Sequence, residues 1–483
     1  MKLSELIASM EASIMKGLDT EITGISYDSR KVETGDLYIA ITGLKMDGRR
    51  FIADAIAAGA AAIACEKTEG ITVDIPLLQV PDARKFLAQA SAKLTGYPDR
   101  EMTVIGVTGT NGKTTFTYLM QSILKASNKK TGIIGTTGFF DGHSWQTLPH
   151  TTPESADLWR LLRKLRELGN KAVVMEISSH AIALKRVYGL DIDIAVFTNL
   201  TQDHLDFHTG MDEYKEVKFS LFSTLKNEGT AVINIDDTAG IELLSRHQGK
   251  AISYSAKGHN ANLRINLQSA TLKGSKTIIQ YKNSSLSTFV NLPGIHNLSN
   301  AAAAAAAGFA LGIEGSAIKR GIEELLCVPG RMEAVPNDKG YFIFIDYAHT
   351  PDALKHLIQS VKLLTQDRVL TLFGCGGDRD HDKRPKMGKI ASELSDYIFV
   401  TSDNPRTETP ERIIEDILAG VKTDDKKVIV DRREAIFEAV NFMREGDVLL
   451  VAGKGHERYQ ILGTEKIHFD DKEVVREALD ALP

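Results

Sequence analysis

No run of about 18 or more consecutive apolar residues occurs in the sequence, which excludes an ordinary membrane-spanning helix. The longest candidate, "NAAAAAAAGFALG" (300–312), is mostly alanine. Alanine favours helix and close packing and adds little to membrane insertion. The opening "MKLSELIASMEASIMKG" reads as an amphipathic helix and lacks the continuous apolar core of a signal peptide. Cysteine is scarce: Cys65, Cys327 and Cys375 lie far apart, with no C-x-x-C pair and no metal-ligand spacing around Cys375. An odd, scattered set argues against a disulfide framework and fits a reducing cytoplasm. There is also no basic block. The net charge is −5 and the pI about 6.3, so nucleic acid is not an expected partner. Repeats of fixed period and low-complexity linkers are absent as well.

What is present is ordinary globular material, 43% hydrophobic and 25% charged over 483 residues. At roughly 150 residues per domain, about three domains are expected. Two clusters of turn residues, "TGYPDREM" (95–102) and "CVPGRMEAVPNDKG" (327–340), set boundaries that give units 1–98, 99–330 and 331–483. The expected class is α/β: a small N-terminal α/β unit, a central nucleotide-binding unit with a mostly parallel sheet, and a C-terminal Rossmann-like unit. In the first, "TGISYDSRKVETGDLYIAITG" reads as two strands joined by a turn at Glu33 to Asp36. The central unit opens with the strand "MTVIGVTG" and a helix from about Lys113, with Phe116, Leu119, Met120, Ile123 and Leu124 on one face. Buried strands follow at "AVVMEIS", "IAVFTNL" and "GTAVINID". The last unit alternates helical stretches with "FIFIDY", "VLTLFG", "YIFVTSD", "KVIVD" and "DVLLVAG", the pattern of βαβ units on a parallel sheet.

Ligands of such sheets bind beyond the carboxyl ends of the strands. The segments that follow the strands here are "DYAHTPD", "GCGGDRD", "SDNPR" and "GKGHE". Ordinary βα turns account for their glycines but not for the acids, histidines and arginines gathered on one edge. Arg406 follows Pro405, which restricts the backbone before it, so the guanidinium is expected on a stiff turn. Its fork of donors suits a carboxylate or phosphate.

A second constellation, "GVTGTNGKTT" (106–115), lies between a strand and a helix. Glycines let backbone wrap phosphate, the helix start directs N–H groups at it, Lys113 adds charge, and a following hydroxyl can bind Mg²⁺. The strict G-x-x-x-x-G-K-T pattern fails at Val107. The longer string "GTNGKTT" in its strand–helix setting is the more specific signal. In "MDEYKEVKFSLFSTL", Tyr214, Val217, Leu221, Phe222 and Leu225 share one helical face, and Lys218 lies on it. A lysine there is either snorkelling to water or buried, and burial makes an amine lose its proton more readily.

The "GTNGKTT" string, "GRME" (330–333), "DYAHTPD" and the three-part layout together resemble the Mur ligase family over essentially the whole chain. These enzymes build the peptide of the bacterial cell-wall precursor. "YDSRKVETGDLYIAITG", "HTTPE", "MEISSHA", "NLTQDHLDFHTGMDEYKEVK" and "DNPR" look like the member that adds the third residue to UDP-N-acetylmuramoyl-L-alanyl-D-glutamate, in its meso-2,6-diaminopimelate version. The resemblance implies an ATP-dependent ligation. A substrate carboxylate attacks the γ-phosphate, and an amine displaces phosphate from the resulting acyl phosphate.

Residue by residue, it puts ATP on Gly109, Thr110, Asn111, Gly112, Lys113, Thr114 and Thr115. Thr114 and Glu176 match a first Mg²⁺ position, and His204 a second. Lys218 matches a carboxylated lysine, a CO₂-derived carbamate that serves as an anionic metal ligand. Lys113, Glu176, His204 and Lys218 are thus the catalytic set. Asn297 and Asn300 match adenine and ribose contacts; Arg331 and Asp346 reach the nucleotide from the last unit. Ser29 matches a uridine-side contact of the muramoyl dipeptide, with Tyr27 and Lys45 as neighbours. Thr151, Thr152, Ser178 and Arg186 match sugar and peptide contacts, while Leu184 replaces a polar residue of some relatives. Diaminopimelate is expected at Arg379, Asp403, Asn404, Pro405, Arg406, Gly453 and Glu457. The roles of His180, His208 and His349 stay open, with His208 read as structural. The implied setting is a cytoplasmic monomer with neither membrane nor nucleic acid as partner. Three alternatives remain: the same ligation with L-lysine, a ligase like folylpolyglutamate synthase, and a phosphate-loop regulatory ATPase.

Overall fold

Apolar side chains occupy both faces of the strand Asp36–Ala40: Leu37 and Ile39 pack into one buried cluster, Tyr38 and Ala40 into another. A strand buried on both sides belongs to the interior of a parallel sheet. Its neighbours Gly24–Ser26 and Ala62–Cys65 both run parallel to it. In the computed structural model, which describes residues 1–14, 17–43, 46–202 and 207–482, this sheet has five strands. It lies in the first of two compact units, which holds 1–255, 259–263 and 303–318; the second holds 256–258, 264–302 and 319–483. Among the described residues no helix is long and apolar enough to cross a membrane.

Two expectations for the N-terminal segment need correction. The opening helix spans only Leu3–Ile7, and Ser13–Ile14 instead pair antiparallel with Leu77–Gln79. Leu3 and Leu6 already fill the core, so the remaining residues gain more by completing the sheet edge than by continuing the helix. The turn at Glu33–Asp36 exists, closed by the Asp36 N–H on the Glu33 carbonyl, but the strands it was expected to join run parallel. Between them Ser29–Lys31 form a 3₁₀ turn opened by Asp28, and this lets the chain return in the same direction.

The larger sheet of this unit carries the phosphate loop. Its strands Thr131–Gly135, Ala172–Glu176, Thr103–Thr108, Ile192–Phe197, Leu225–Asn234 and Lys250–Ser255 lie parallel in that order. Two short antiparallel strands, Gly138–Phe140 and Trp145–Gln146, extend one edge. Helix Lys113–Ala126 buries the expected Phe116, Leu119, Met120, Ile123 and Leu124. The helix bearing Lys218 ends earlier than its periodicity implies. It covers Met211–Ser220, the chain tightens into a 3₁₀ turn over Leu221–Thr224, and Leu225 begins a strand. Pairing of Leu225 with Ile192 outweighs one more helical turn.

In the second unit a six-stranded sheet runs Glu333–Ala334, Phe342–Asp346, Val448–Ala452, Val369–Phe373, Tyr397–Val400, Lys426–Val428. All pairings but the first are parallel, as the alternating pattern predicts. Gly274–Tyr281 and Ser284–Val290 pair antiparallel elsewhere in the unit. A wholly buried ion pair braces the strand ends. Arg432 donates twice to Asp471 at 2.7 Å, and also to the carbonyls of Ser402 (3.3 Å) and Ala452 (3.1 Å). Removing one partner strands the other charge, so Arg432→Leu is expected to cost about 3–5 kcal/mol of stability. Denaturant titration checks this; an unchanged midpoint would contradict it.

Candidate active site

The chain leaves strand Thr103–Thr108 and turns at Gly109, whose φ of 146° and crowded surroundings demand glycine: a β-carbon there would lie 1.9 Å from the Thr198 hydroxyl oxygen. Thr198 in turn donates to the Asn111 carbonyl at 2.7 Å, and Asn111 N–H donates to the Asn199 side chain at 2.8 Å. Gly112 (φ 87°) then admits helix Lys113–Ala126. The Lys113 ammonium donates to the Gly109 and Thr110 carbonyls at 2.8 and 2.9 Å, so the loop closes around its own lysine. Thr114 and Thr115 follow in the first helical turn, both buried. This is a backbone cradle at a helix N-terminus with a cation at its mouth, suited to phosphate.

Glu176 ends strand Ala172–Glu176 beside the loop strand, in register with Val107. Its carboxylate accepts from the Thr136 N–H at 2.9 Å and the Thr136 hydroxyl at 3.0 Å, and is almost wholly buried. Lys218 is equally buried. Its Nζ donates to the Gly109 carbonyl at 3.0 Å and lies 4.4 Å from the centre of the Tyr214 ring, whose hydroxyl sits 3.3 Å from that of Thr110. Of the two readings the sequence left for this lysine, burial holds.

The loop that resembles a peptide contact is built onto the same strand end. Thr152 donates to the Glu176 carbonyl (2.8 Å) and accepts from the Ser178 N–H (3.1 Å); Arg186 donates to the Thr152 carbonyl (3.0 Å). The Thr151 hydroxyl lies 3.2 Å from that of Thr136. Thr151, Thr152, Ser178, Arg186 and Glu176 therefore form one connected group. Tyr27 is tied to the helix that follows: its hydroxyl donates to Asp157 at 2.6 Å, and burial with that carboxylate pushes its pKa well up. Ser29 is the first residue of the 3₁₀ turn Ser29–Lys31. Leu184 caps the short helix Ser179–Ala183. His208 is buried, with Nε2 3.0 Å from the Ser179 hydroxyl, and the His180 ring lies tilted against Phe207, centres 4.1 Å apart. Lys45 and His204 lie outside the described residues.

In the second unit, Asn300 donates to the Asn297 side-chain oxygen at 2.9 Å, and Asn297 donates to the Pro293 carbonyl at 2.7 Å. Both are buried. Asp346 ends its strand and accepts from the N–H groups of Met332 (2.7 Å) and Ala348 (2.8 Å). Loss of solvent raises its pKa while Arg331 and these two N–H groups oppose the rise. Arg331 lies over the Tyr347 ring at 4.9 Å, and Tyr347 packs against His349 and His456.

Strand ends converge here as expected. A β-carbon on Gly453 (φ 115°) would come within 2.7 Å of the Asp403 carboxylate, so glycine admits that acid to the site. Asn404 donates to Glu457 at 2.9 Å. Arg406 donates to the carbonyls of Gly377 (2.8 Å) and Asn404 (3.4 Å) from a backbone with φ of 54°. Hairpin Tyr459–His468 fastens it: Arg406 N–H bonds Ile461 O, and Gly463 N–H bonds Arg406 O. Asp403, Asn404, Arg406, Gly453 and Glu457 are thus one group, with Arg379 on the adjoining Gly376–Gly377 loop.

Sequence reasoning missed three supports. Lys454 sits fully buried inside "GKGHE", where its neighbours drew attention first. Arg432 has no local signal because its partner Asp471 is remote. Arg384, also fully buried, grips Glu408 and Asp416 and donates to the Gly376 carbonyl at 3.3 Å. Arg384 holds the Glu408 carboxyl down to about 2.

Three family models match: the Mur ligase family catalytic domain over 21–95, the Mur ligase middle domain over 107–308 and the Mur ligase glutamate ligase domain over 330–455. A protein of Clostridium tetani named UDP-N-acetylmuramoyl-L-alanyl-D-glutamate–2,6-diaminopimelate ligase is 41% identical, with both chains covered in full. The chain belongs to the Mur ligase family. A Gloeobacter violaceus protein of the same name is 44% identical over 99% of this chain and 98% of its own. A solved structure of a ligase so named superposes with a TM-score of 0.72 at 33% identity, covering 100% and 99% of the two chains. A folylpolyglutamate synthase of Mycobacterium tuberculosis shares the fold at 17% identity with a TM-score of 0.63, but covers only 76% of this chain. The Mur ligase likeness is therefore the fuller one.

Proposed function

We propose that this chain is an ATP-dependent amide ligase that adds meso-2,6-diaminopimelate to UDP-N-acetylmuramoyl-L-alanyl-D-glutamate in the cytoplasm, as a monomer. One observation carries the reading: a rigidly mounted Arg406 shares a cluster with two acids, Asp403 and Glu457, at the strand ends of a Mur ligase chain. That combination suits an amino acid with a carboxylate and an ammonium at its far end. Full-length relatives at about 40% identity bear the name of this activity. The three-domain division 1–98, 99–330 and 331–483 is part of the same proposal, supported by family segments over 21–95, 107–308 and 330–455. The test is phosphate release measured with ATP, the nucleotide dipeptide, and either diaminopimelate or lysine. Release that needs neither amino acid nor dipeptide would favour the regulatory ATPase instead.

Gly109 to Thr115 would hold the triphosphate, with Lys113 moving from the loop carbonyls to phosphate oxygens. Asn297, Asn300, Arg331 and Asp346 would take the nucleoside, and Ser29, Tyr27, Lys45, Thr151, Thr152, Ser178 and Arg186 the muramoyl dipeptide. Arg186 is already oriented by Glu154 at 3.4 Å and by the Thr152 carbonyl. Burial of the Glu176 carboxylate beside the loop fits a divalent cation, since anionic and hydroxyl oxygens are what Mg²⁺ prefers. Glu176 and Thr114 would hold it, with His204 and a carboxylated Lys218 at a second position. The bound metal would offset charge between the attacking carboxylate and the γ-phosphate.

Lys218 as an ammonium is a donor only and cannot ligate metal. Its neutral amine is the form that adds to CO₂, with loss of a proton, to give an N-carboxylate. Its remaining N–H can keep the bond to the Gly109 carbonyl. Lys218→Ala is expected to be inactive and to regain part of its turnover with added formate or acetate. Intact-mass measurement under mild, CO₂-replete conditions that found no added 44 Da, together with no rescue, would remove the carbamate from the mechanism.

A further inference from the structure

Lys454 has no accessible surface, yet it bears charge beside the amino-acid cluster. Its three donors meet three acceptors: the Tyr459 carbonyl at 2.5 Å, the Asn404 side-chain oxygen at 3.3 Å and the Glu457 carboxylate at 3.4 Å. An asparagine amide can face a ligand with either its oxygen or its nitrogen. Here two donors converge on the oxygen, the Lys454 ammonium and the Ile461 N–H at 3.0 Å. Both lone pairs are used, so the nitrogen must face the other way. One amide N–H then binds Glu457 at 2.9 Å, and the second is left for a ligand. The same ammonium and the Tyr459 hydroxyl, at 3.4 Å, fix the Glu457 carboxylate.

We propose that Lys454 is a positioning residue that sets the polarity of the amino-acid pocket. It turns Asn404 into a donor, so that Asn404 and Arg406 both read the distal carboxylate. It also holds Glu457 ready for the neighbouring ammonium. Lys454 itself touches no substrate. This rests on the reading of the cluster as the diaminopimelate site. It explains why a lysine, whose ammonium would otherwise repel the substrate's, is buried there: Glu457 and two oxygens surround it.

The experiment is steady-state kinetics on the full chain, with diaminopimelate and lysine at saturating ATP and nucleotide dipeptide. K454M keeps the length of the side chain and removes its donors. The expected result is a KM for diaminopimelate raised about tenfold or more, the loss typical of hydrogen bonds to charged groups. The KM for ATP should hold, and the preference for diaminopimelate over lysine should narrow. A folded K454M with unchanged KM and preference overturns the inference, as does an equal loss with both amino acids. If K454M does not fold, K454Q decides on the same readouts: a raised KM for diaminopimelate with a narrowed preference supports the proposal, and parental KM and preference overturn it. A parent enzyme that used neither amino acid would overturn the underlying reading and this one with it.

Discussion

Lys113→Ala is expected to lose turnover by about 10²–10³-fold or more, the range for removing one positioned donor from a developing charge. The physical reason lies in what the lysine does before nucleotide arrives. Its ammonium bonds the Gly109 and Thr110 carbonyls at 2.8 and 2.9 Å, at the rim of the loop rather than in the core. A triphosphate brings stronger, anionic acceptors to the same place, so the lysine has a short move to make. The fold should survive. Phe116, Leu119, Met120 and Ile123 anchor the helix independently, and Gly109 and Gly112 hold the loop's shape without the side chain. The loss of two such hydrogen bonds costs about 1 kcal/mol each. The check combines ATP-dependent phosphate release with thermal unfolding. A variant with near-parental release would remove ATP from this loop, whereas lost cooperativity in unfolding would mean that the lysine is structural.

The loop was legible because its chemistry is local. Glycines, a lysine and two threonines are contiguous, and the flanking strand and helix carry clear apolar periods. The strand ends of the last unit were legible for a related reason: parallel topology brings the segments after each strand to one edge, so Asp346, Asp403 to Arg406, Gly453 and Glu457 could be grouped before any geometry was known. Contacts across the chain were not legible. Arg432 finds Asp471 and Arg384 finds Glu408 only after helices pack, and nothing near them in sequence announces the partner. The N-terminal segment failed for the opposite reason. Its amphipathic pattern was real, but a free sheet edge competed for Ser13 and Ile14 and won. Lys218 shows both limits. Its place on the apolar face was readable, while the early end of its helix was set by the pairing of Leu225 with Ile192.

Arg406 carries the largest expected effect on substrate choice. Meso-diaminopimelate differs from lysine by one carboxylate at the far end. The Gly377 and Asn404 carbonyls hold one terminal nitrogen of the guanidinium at 2.8 and 3.4 Å, which fixes the plane and leaves the opposite edge for a second, bidentate partner. Backbone bonds to Ile461 and Gly463 keep the residue at its φ of 54°. Alanine at this position would meet the same backbone demand, since neither residue is glycine, so Arg406→Ala tests the guanidinium and little else. Lysine as substrate leaves that half-buried guanidinium without a counter-charge, a loss toward the lower end of the roughly 2–5 kcal/mol that a buried charge pair would cost. The parent enzyme is therefore expected to use diaminopimelate well and lysine poorly. Arg406→Ala should lose most of its kcat/KM for diaminopimelate and narrow the preference. It should not become a good lysine enzyme, because the truncation adds no designed contact to lysine and leaves the Gly377 and Asn404 carbonyls without their donor. Arg406→Lys should fall between the two, keeping charge but losing the fork. Equal kcat/KM for the two amino acids in the parent would show that this arginine does not read the carboxylate.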